Sequence, residues 1–127
     1  MPLRRLQVEG APAPGGAYSQ AVEANGFLYT AGFGPIDPQT GEVVGADIGE
    51  QTRQVMRNIG AVLEAAGLDF GDVVKATVHL ADVGRDFGGF NAAYREFFTD
   101  GLPVRTTVGS TLPRILVEID VVAALRQ

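Results

Sequence analysis

The sequence predicts an α+β fold, a sheet carrying two helices on one of its faces. Apolar residues recur with a helical period in two stretches and alternate with polar ones in others. These stretches follow one another as strands, helix, strand, helix, strands. A chain of 127 residues has the length of one ordinary domain, and residues 1–127 are expected to form one. With 46% apolar residues it can bury a core. Surface scales badly at this size, so docking against copies of itself is an expected further source of stability.

The Ala/Pro/Gly run Ala11 to Gly16 reads as a loop that leads into Tyr18. Asn25-Gly26 is a tight hairpin signal before the strand-like Phe27 to Ala31, so Ala21 to Ala24 should pair with that strand in an N-terminal β-meander. Asp37-Pro38-Gln39-Thr40-Gly41-Glu42 is a turn. From Asp47 to about Ala66, Ile48, Val55, Met56, Ile59, Val62, Leu63 and Ala66 form the stripe of an amphipathic helix, and Gly67 stands where a C-cap glycine belongs. Val74, Ala76, Val78 and Leu80 then alternate with Lys75, Thr77 and His79, which predicts a strand with one apolar face. A second helix has the stripe Phe87, Phe90, Asn91, Tyr94, Phe97 and Phe98, placing Asn91 among aromatics. Val104 to Val108 and Leu116 to Leu125 are again strand-like.

On the last strand Val117, Ile119, Val121, Ala123 and Leu125 should meet the helices, while Glu118 and Asp120 point the other way with Leu116, Val122 and Ala124. Lys75, Thr77 and His79 belong to that second face, and Arg105 with Thr107 is expected there too. Such a half-polar face suits a wet subunit interface, so a homo-oligomer with sites at subunit boundaries is expected.

Composition narrows the chemistry. A formal charge of -5 argues against a broad nucleic-acid footprint. With no Cys there is no disulfide, thiolate metal site or cysteine nucleophile, and one His cannot supply a multi-histidine site. Neither metal nor cofactor is expected. No apolar run approaches a membrane span and the N-terminus does not read as a signal core, so the expected compartment is the cytoplasm. Glycine, at 17 residues, is about twice its average usage and is spread along the chain, which points to turns and close backbone approaches.

Arg105, on a strand entered through Pro103, offers a planar donor fork that matches a carboxylate. A structural ion pair with Glu118 or Asp120 accounts for it equally well. Glu118 lies on a mostly apolar strand, where a carboxylate is either paired or used. Asn91 must satisfy its amide by bridging backbone or by lining a pocket, and Tyr18 can close a pocket with its ring. His79 fits no triad and reads as an ordinary strand residue.

Gly16-Ala17-Tyr18-Ser19-Gln20-Ala21, Tyr29-Thr30-Ala31-Gly32, Pro38-Gln39-Thr40-Gly41-Glu42, Asn58-Ile59 with Leu63 to Gly67, Asp72-Val73-Val74-Lys75, Asn91-Ala92-Ala93-Tyr94 with Phe97-Phe98, Pro103-Val104-Arg105 and Val117-Glu118-Ile119 together resemble, in order, the RidA (YjgF, L-PSP) family. The resemblance implies a chorismate-mutase-like fold, a mixed sheet with two helices on one face, assembled as a homotrimer with inter-subunit clefts. It implies hydrolysis of reactive enamines and imines, such as 2-aminoacrylate, to 2-keto acids and ammonia. Carried over by position, the carboxylate-binding arginine is Arg105, the water-orienting glutamate Glu118, and the pocket tyrosine and asparagine Tyr18 and Asn91.

The chain departs from the deaminase pattern at Ala31, Phe33 and Thr107, where that branch has serine, glutamine and often cysteine; these positions are expected to line the pocket, and Ala31 and Phe33 to shift the preference toward bulkier or less polar imino acids. The expected partners are an imino or keto acid and the chain itself, with neither nucleic acid nor membrane. Two other functions compete. A non-catalytic carboxylate-binding trimer would use the same cleft, and the ribonuclease activity behind the L-PSP name fits poorly with the acidic balance and the single His.

Overall fold

A computed structural model describes residues 2–127. The elements are β1 (Arg4–Leu6), β2 (Ala21–Ala24), β3 (Phe27–Thr30), α1 (Ile48–Ala65), β4 (Val73–Leu80), α2 (Val83–Arg95), β5 (Val104–Gly109) and β6 (Val117–Ala124), with a 3-10 turn at Phe70–Asp72. They form a six-stranded sheet in the order β1-β2-β3-β6-β4-β5. β4 and β5 run parallel, joined through α2, and the other neighbours are antiparallel. The sheet is therefore mixed and both helices cover one face, as expected. Among the described residues no helix is long and apolar enough to cross a membrane.

Local chemistry explains the boundaries that the sequence marks. Asn25 (φ 51°) and Gly26 (φ 87°) both adopt the left-handed conformation that a two-residue hairpin turn of the right twist requires. Asp47 caps α1, its carboxylate accepting from the Glu50 N–H at 2.9 Å. At the other end the N–H groups of Gly67 and Leu68 return to the carbonyls of Glu64 and Leu63, the paired bonds of a Schellman ending. Between these ends Val55, Met56, Ile59, Val62 and Leu63 are all fully buried. They pack on Leu28, Ala76, Val78, Ile119 and Val121 of the sheet. Each such side chain contributes about 1.5–3 kcal/mol through the area it removes from water.

Three expectations need correction. Val74 does not join the buried row, because a bulge between Val73 and Lys75 lets Val73 take its place and leaves Val74 41% exposed. α2 ends at Arg95, so Phe97 and Phe98 extend past the helix and stack on Phe70, with ring centroids 5.5 and 5.7 Å away. The third concerns β5. Its parallel register sets Arg105 beside Ala76 and Thr107 beside Val78, on the helix-covered face, and sets Val104, Thr106 and Val108 beside Lys75, Thr77 and His79 on the open one. Alternation alone does not say which of the two sets faces the helices. The pairing with β4 decides it, and a one-residue difference moves every side chain across the sheet.

The open face carries Phe27 and Tyr29 of β3, Val108 of β5, and Glu118 and Asp120 of β6. Val104 is the most exposed of its apolar members, at 67%.

Candidate active site

Arg105 lies on β5, the last strand of the sheet, where α2 passes over it. The helical spacing of Phe87, Phe90, Asn91 and Tyr94 turns all four toward the guanidinium. Its central carbon sits 4.9, 5.1 and 5.7 Å from the ring centroids of Tyr94, Phe90 and Phe87. Its NH1 donates to Asn91 Oδ1 at 2.9 Å. Arg4, Arg53, Arg85 and Arg126 each reach a carboxylate within 3.1 Å, and none of these ion pairs includes Arg105. The structural pairing of Arg105 with Glu118 or Asp120 is thereby excluded within the chain, since both acids lie on the other face. Among the described residues this half-buried cation has only neutral neighbours, an arrangement with room for an anion. Tyr94 is 3% exposed, its hydroxyl has no hydrogen-bond partner among the described residues, and burial pushes its pKa up to about 12 against the opposing pull of Arg105.

Glu118 occupies the open face of β6, opposite His79 of β4. The His79 ring turns to Ser110, Nδ1 to Oγ 2.7 Å. The Glu118 carboxylate lies over the backbone of Gly32, where a Cβ would stand 2.8 Å from Oε2 and 2.9 Å from the carboxyl carbon. Beside Gly32 opens a cleft of about 480 Å³ bounded by Pro12, Tyr18, Gly34, Asp37 and Thr40. Tyr18 is half exposed at its mouth, and its hydroxyl accepts from the Gly15 N–H at 3.0 Å. Asp120, two residues along β6, has its pKa raised by burial, with the charges of His79 and Lys75 pulling the other way.

Residues 8–125 match the model of the protein family described as Endoribonuclease L-PSP. The chain belongs to this family. Its L-PSP relatives include a RutC family protein of Pyrococcus horikoshii, 51% identical over 117 residues, which span 91% of this chain and 92% of that protein. The 2-iminobutanoate/2-iminopropanoate deaminase of Mus musculus is 43% identical over 115 residues, 89% of this chain and 84% of that protein. Among solved structures, the YjgF gene product of E. coli is similar with a TM-score of 0.90 and 41% identity, covering 97% of this chain and 99% of that one. The family resemblance seen in the motifs therefore holds over nearly the whole length.

In this L-PSP chain the site residues expected from sequence divide into two groups. Arg105 and Asn91 touch, with Thr107 on the same face of β5. Tyr18 lines the cleft beside Gly32, against which Glu118 rests. The two groups do not meet within one chain. Arg105 is level with Ala76 and Glu118 with His79, so the two lie roughly 10 Å apart along the strands and roughly 10 Å across them, on opposite faces.

Phe33 reaches the cleft wall only marginally. Its N–H and carbonyl both bond to Ile119, and its ring is 4% exposed within the core. Ala31 donates its N–H to the Gln20 carbonyl at 2.8 Å and is not among the residues lining the cleft.

Three buried amides that the sequence reading passed over hold the surrounding loops. Gln20 accepts from the Val8 N–H and donates to the carbonyls of Val8, Ala11 and Pro12. Asn58 donates to the carbonyls of Gly34 and Ile36, and Gln51 bridges the Gly45 carbonyl and the Leu116 N–H. For Gln51 and Asn58 the signal was a polar residue at helical spacing from Val55 and Val62, inside an apolar stripe.

Proposed function

We propose that this protein hydrolyses small reactive imino acids to 2-keto acids and ammonia, in clefts where the Arg105 edge of one copy meets the Glu118 face of another within a homotrimer. The observation that carries the reading is Arg105 itself, a half-buried guanidinium caged by three rings and an amide and paired with no acid among the described residues. A substrate carboxylate completes that environment. The activity named for the mouse relative, an imino-acid deaminase, supplies a substrate with such a carboxylate.

The chemistry divides between the two groups. Arg105 holds the carboxylate and so fixes the imine carbon. Glu118 orients a water and takes one of its protons as the oxygen bonds to that carbon and the C=N π electrons move to nitrogen. Glu118 returns the proton to nitrogen in the resulting carbinolamine. The C–N bond then breaks, the hydroxyl proton leaves with the nitrogen as ammonium, and the 2-keto acid remains. A protonated imine is already electrophilic, so positioning supplies much of what such a labile substrate needs. Tyr18, at the mouth of the cleft, shields it from bulk water.

The separation of the two groups supports the assembly. One chain keeps Arg105 and Glu118 on opposite faces, so a site that uses both needs a second copy. The open face, with Phe27, Tyr29, Val104 and Val108 between 38% and 67% exposed, is the surface for it to cover.

The test is release of ammonia and keto acid from an imino acid generated in place by an amino-acid oxidase or a dehydratase. Acceleration by the wild type and its loss in an assembled Arg105→Ala variant are expected. Equal rates in the two proteins would overturn the reading.

A further inference from the structure

We infer that Tyr94 is a positioning residue that acts through Arg105 with its ring and not its hydroxyl, an inference that rests on the carboxylate-binding reading of Arg105. Of the three rings around the guanidinium, that of Tyr94 is nearest, at 4.9 Å. Phe90 and Phe98 hold it in turn, at centroid distances of 5.3 and 4.8 Å. The residue is 3% exposed, and its hydroxyl is buried without any hydrogen-bond partner among the described residues. Such a hydroxyl contributes nothing to the site and is a cost to the fold. What Tyr94 offers is a fixed, electron-rich ring face.

A guanidinium has two faces and an edge of in-plane N–H donors, and the division of labour around Arg105 follows that shape. Rings lie over the group, and Asn91 takes NH1. The remaining in-plane donors are left for a carboxylate, which is planar and matches them two to two. With the ring gone, the long arginine side chain regains rotamers in which that edge points elsewhere, and substrate binding has to restore the order. The loss should therefore fall on binding of the carboxylate rather than on the later bond changes.

The experiment compares wild type, Tyr94→Phe, Tyr94→Leu, Arg105→Ala and the double variant Tyr94→Leu/Arg105→Ala. Each is measured for KM and kcat on an imino acid generated in place, for Kd of 2-oxobutanoate by calorimetry, and for melting temperature. Tyr94→Phe is expected to keep the wild-type KM and Kd and to melt no lower. Tyr94→Leu is expected to raise KM and Kd by about tenfold while kcat stays within about twofold. In the Arg105→Ala background the same change should add nothing, because its effect passes through the missing guanidinium. If Tyr94→Leu does not fold, Tyr94→Met fills the space without a ring and is read the same way.

A folded Leu or Met variant with unchanged Kd overturns the inference. So does a Phe variant that loses affinity as Leu does, since the hydroxyl would then carry the role. A wild type that turns nothing over, yet binds 2-oxobutanoate in a way that depends on Arg105 and Tyr94, sinks the deaminase reading and upholds the clamp. An Arg105→Ala variant that binds as tightly as wild type removes both.

Discussion

Gly32 makes room for Glu118. A Cβ at position 32 would stand 2.8 Å from Glu118 Oε2 and 3.1 Å from its Cγ, closer than side chains approach one another. The atoms in the way belong to the outer part of a flexible side chain, so the carboxylate can swing aside at little cost. Gly32→Ala should therefore leave melting temperature and assembly nearly unchanged and lower kcat by about tenfold or more, through a misplaced proton acceptor. Steady-state kinetics with a parallel melting curve separates this from a folding defect, in which both would fall.

Arg105→Lys keeps the charge and removes the fork. An ammonium donates to a carboxylate as a point charge and lacks the planar edge that the rings and Asn91 orient. KM for the imino acid should rise at least about tenfold, against a modest change in kcat. A lysine variant with wild-type KM would mean that charge alone recruits the substrate.

Gln20→Ala should be the most damaging substitution near the cleft for stability. It removes bonds of 2.6–3.3 Å to Val8, Ala11 and Pro12 and leaves backbone groups unpaired at a site that is 4% exposed. The expected cost is about 2–4 kcal/mol by chemical denaturation. A cost below about 0.5 kcal/mol, the size of an ordinary surface change, would show that water replaces the amide freely.

Asp120 gives a pH dependence of opposite sign to that of a paired carboxylate. Burial raises its pKa in the fold above the ordinary 3.8, against the attraction of His79 and Lys75. Folding thus favours the protonated acid. Its contribution is most favourable below the ordinary aspartate range and is lost as pH rises through the raised value. Asp120→Asn should accordingly melt higher than wild type at pH 7, and the advantage should shrink as pH falls from the raised value toward about 4, below which it should stay small. Thermal melts of both proteins between pH 3 and 7 check the sign. A constant difference across that range would contradict it.

Features set by neighbours in the chain were legible in the sequence. The Asn25-Gly26 turn, the start of α1 near Asp47 and the Gly67 ending each depend on a few adjacent residues, and the structure has them where the pattern places them. The alternation along β6 likewise marks Val117, Ile119, Val121 and Ala123 as core. The face of Arg105 was not legible, because it depends on how β5 registers against β4, a pairing made across the whole length of α2. The place of Phe33 was hidden for the same reason. Its backbone bonds to Ile119, far along the chain, and draws the ring into the core. The glycine excess finds two more particular causes: Gly32 admits a carboxylate, and at Gly89 a Cβ would press on Ile48 Cγ2 at 2.8 Å, where α2 meets the start of α1.

The central claim is that one active site takes Arg105 from one chain and Glu118 from another. Mixing two inactive variants, Arg105→Ala and Glu118→Gln, tests it most directly. The two are unfolded and refolded together at equal ratio, and native mass spectrometry counts the mixed assemblies before imino-acid hydrolysis is measured. Random mixing leaves about a quarter of the sites with both native groups, so about a quarter of wild-type activity should return. Mixed assemblies that form and remain as inactive as their parents would contradict the claim.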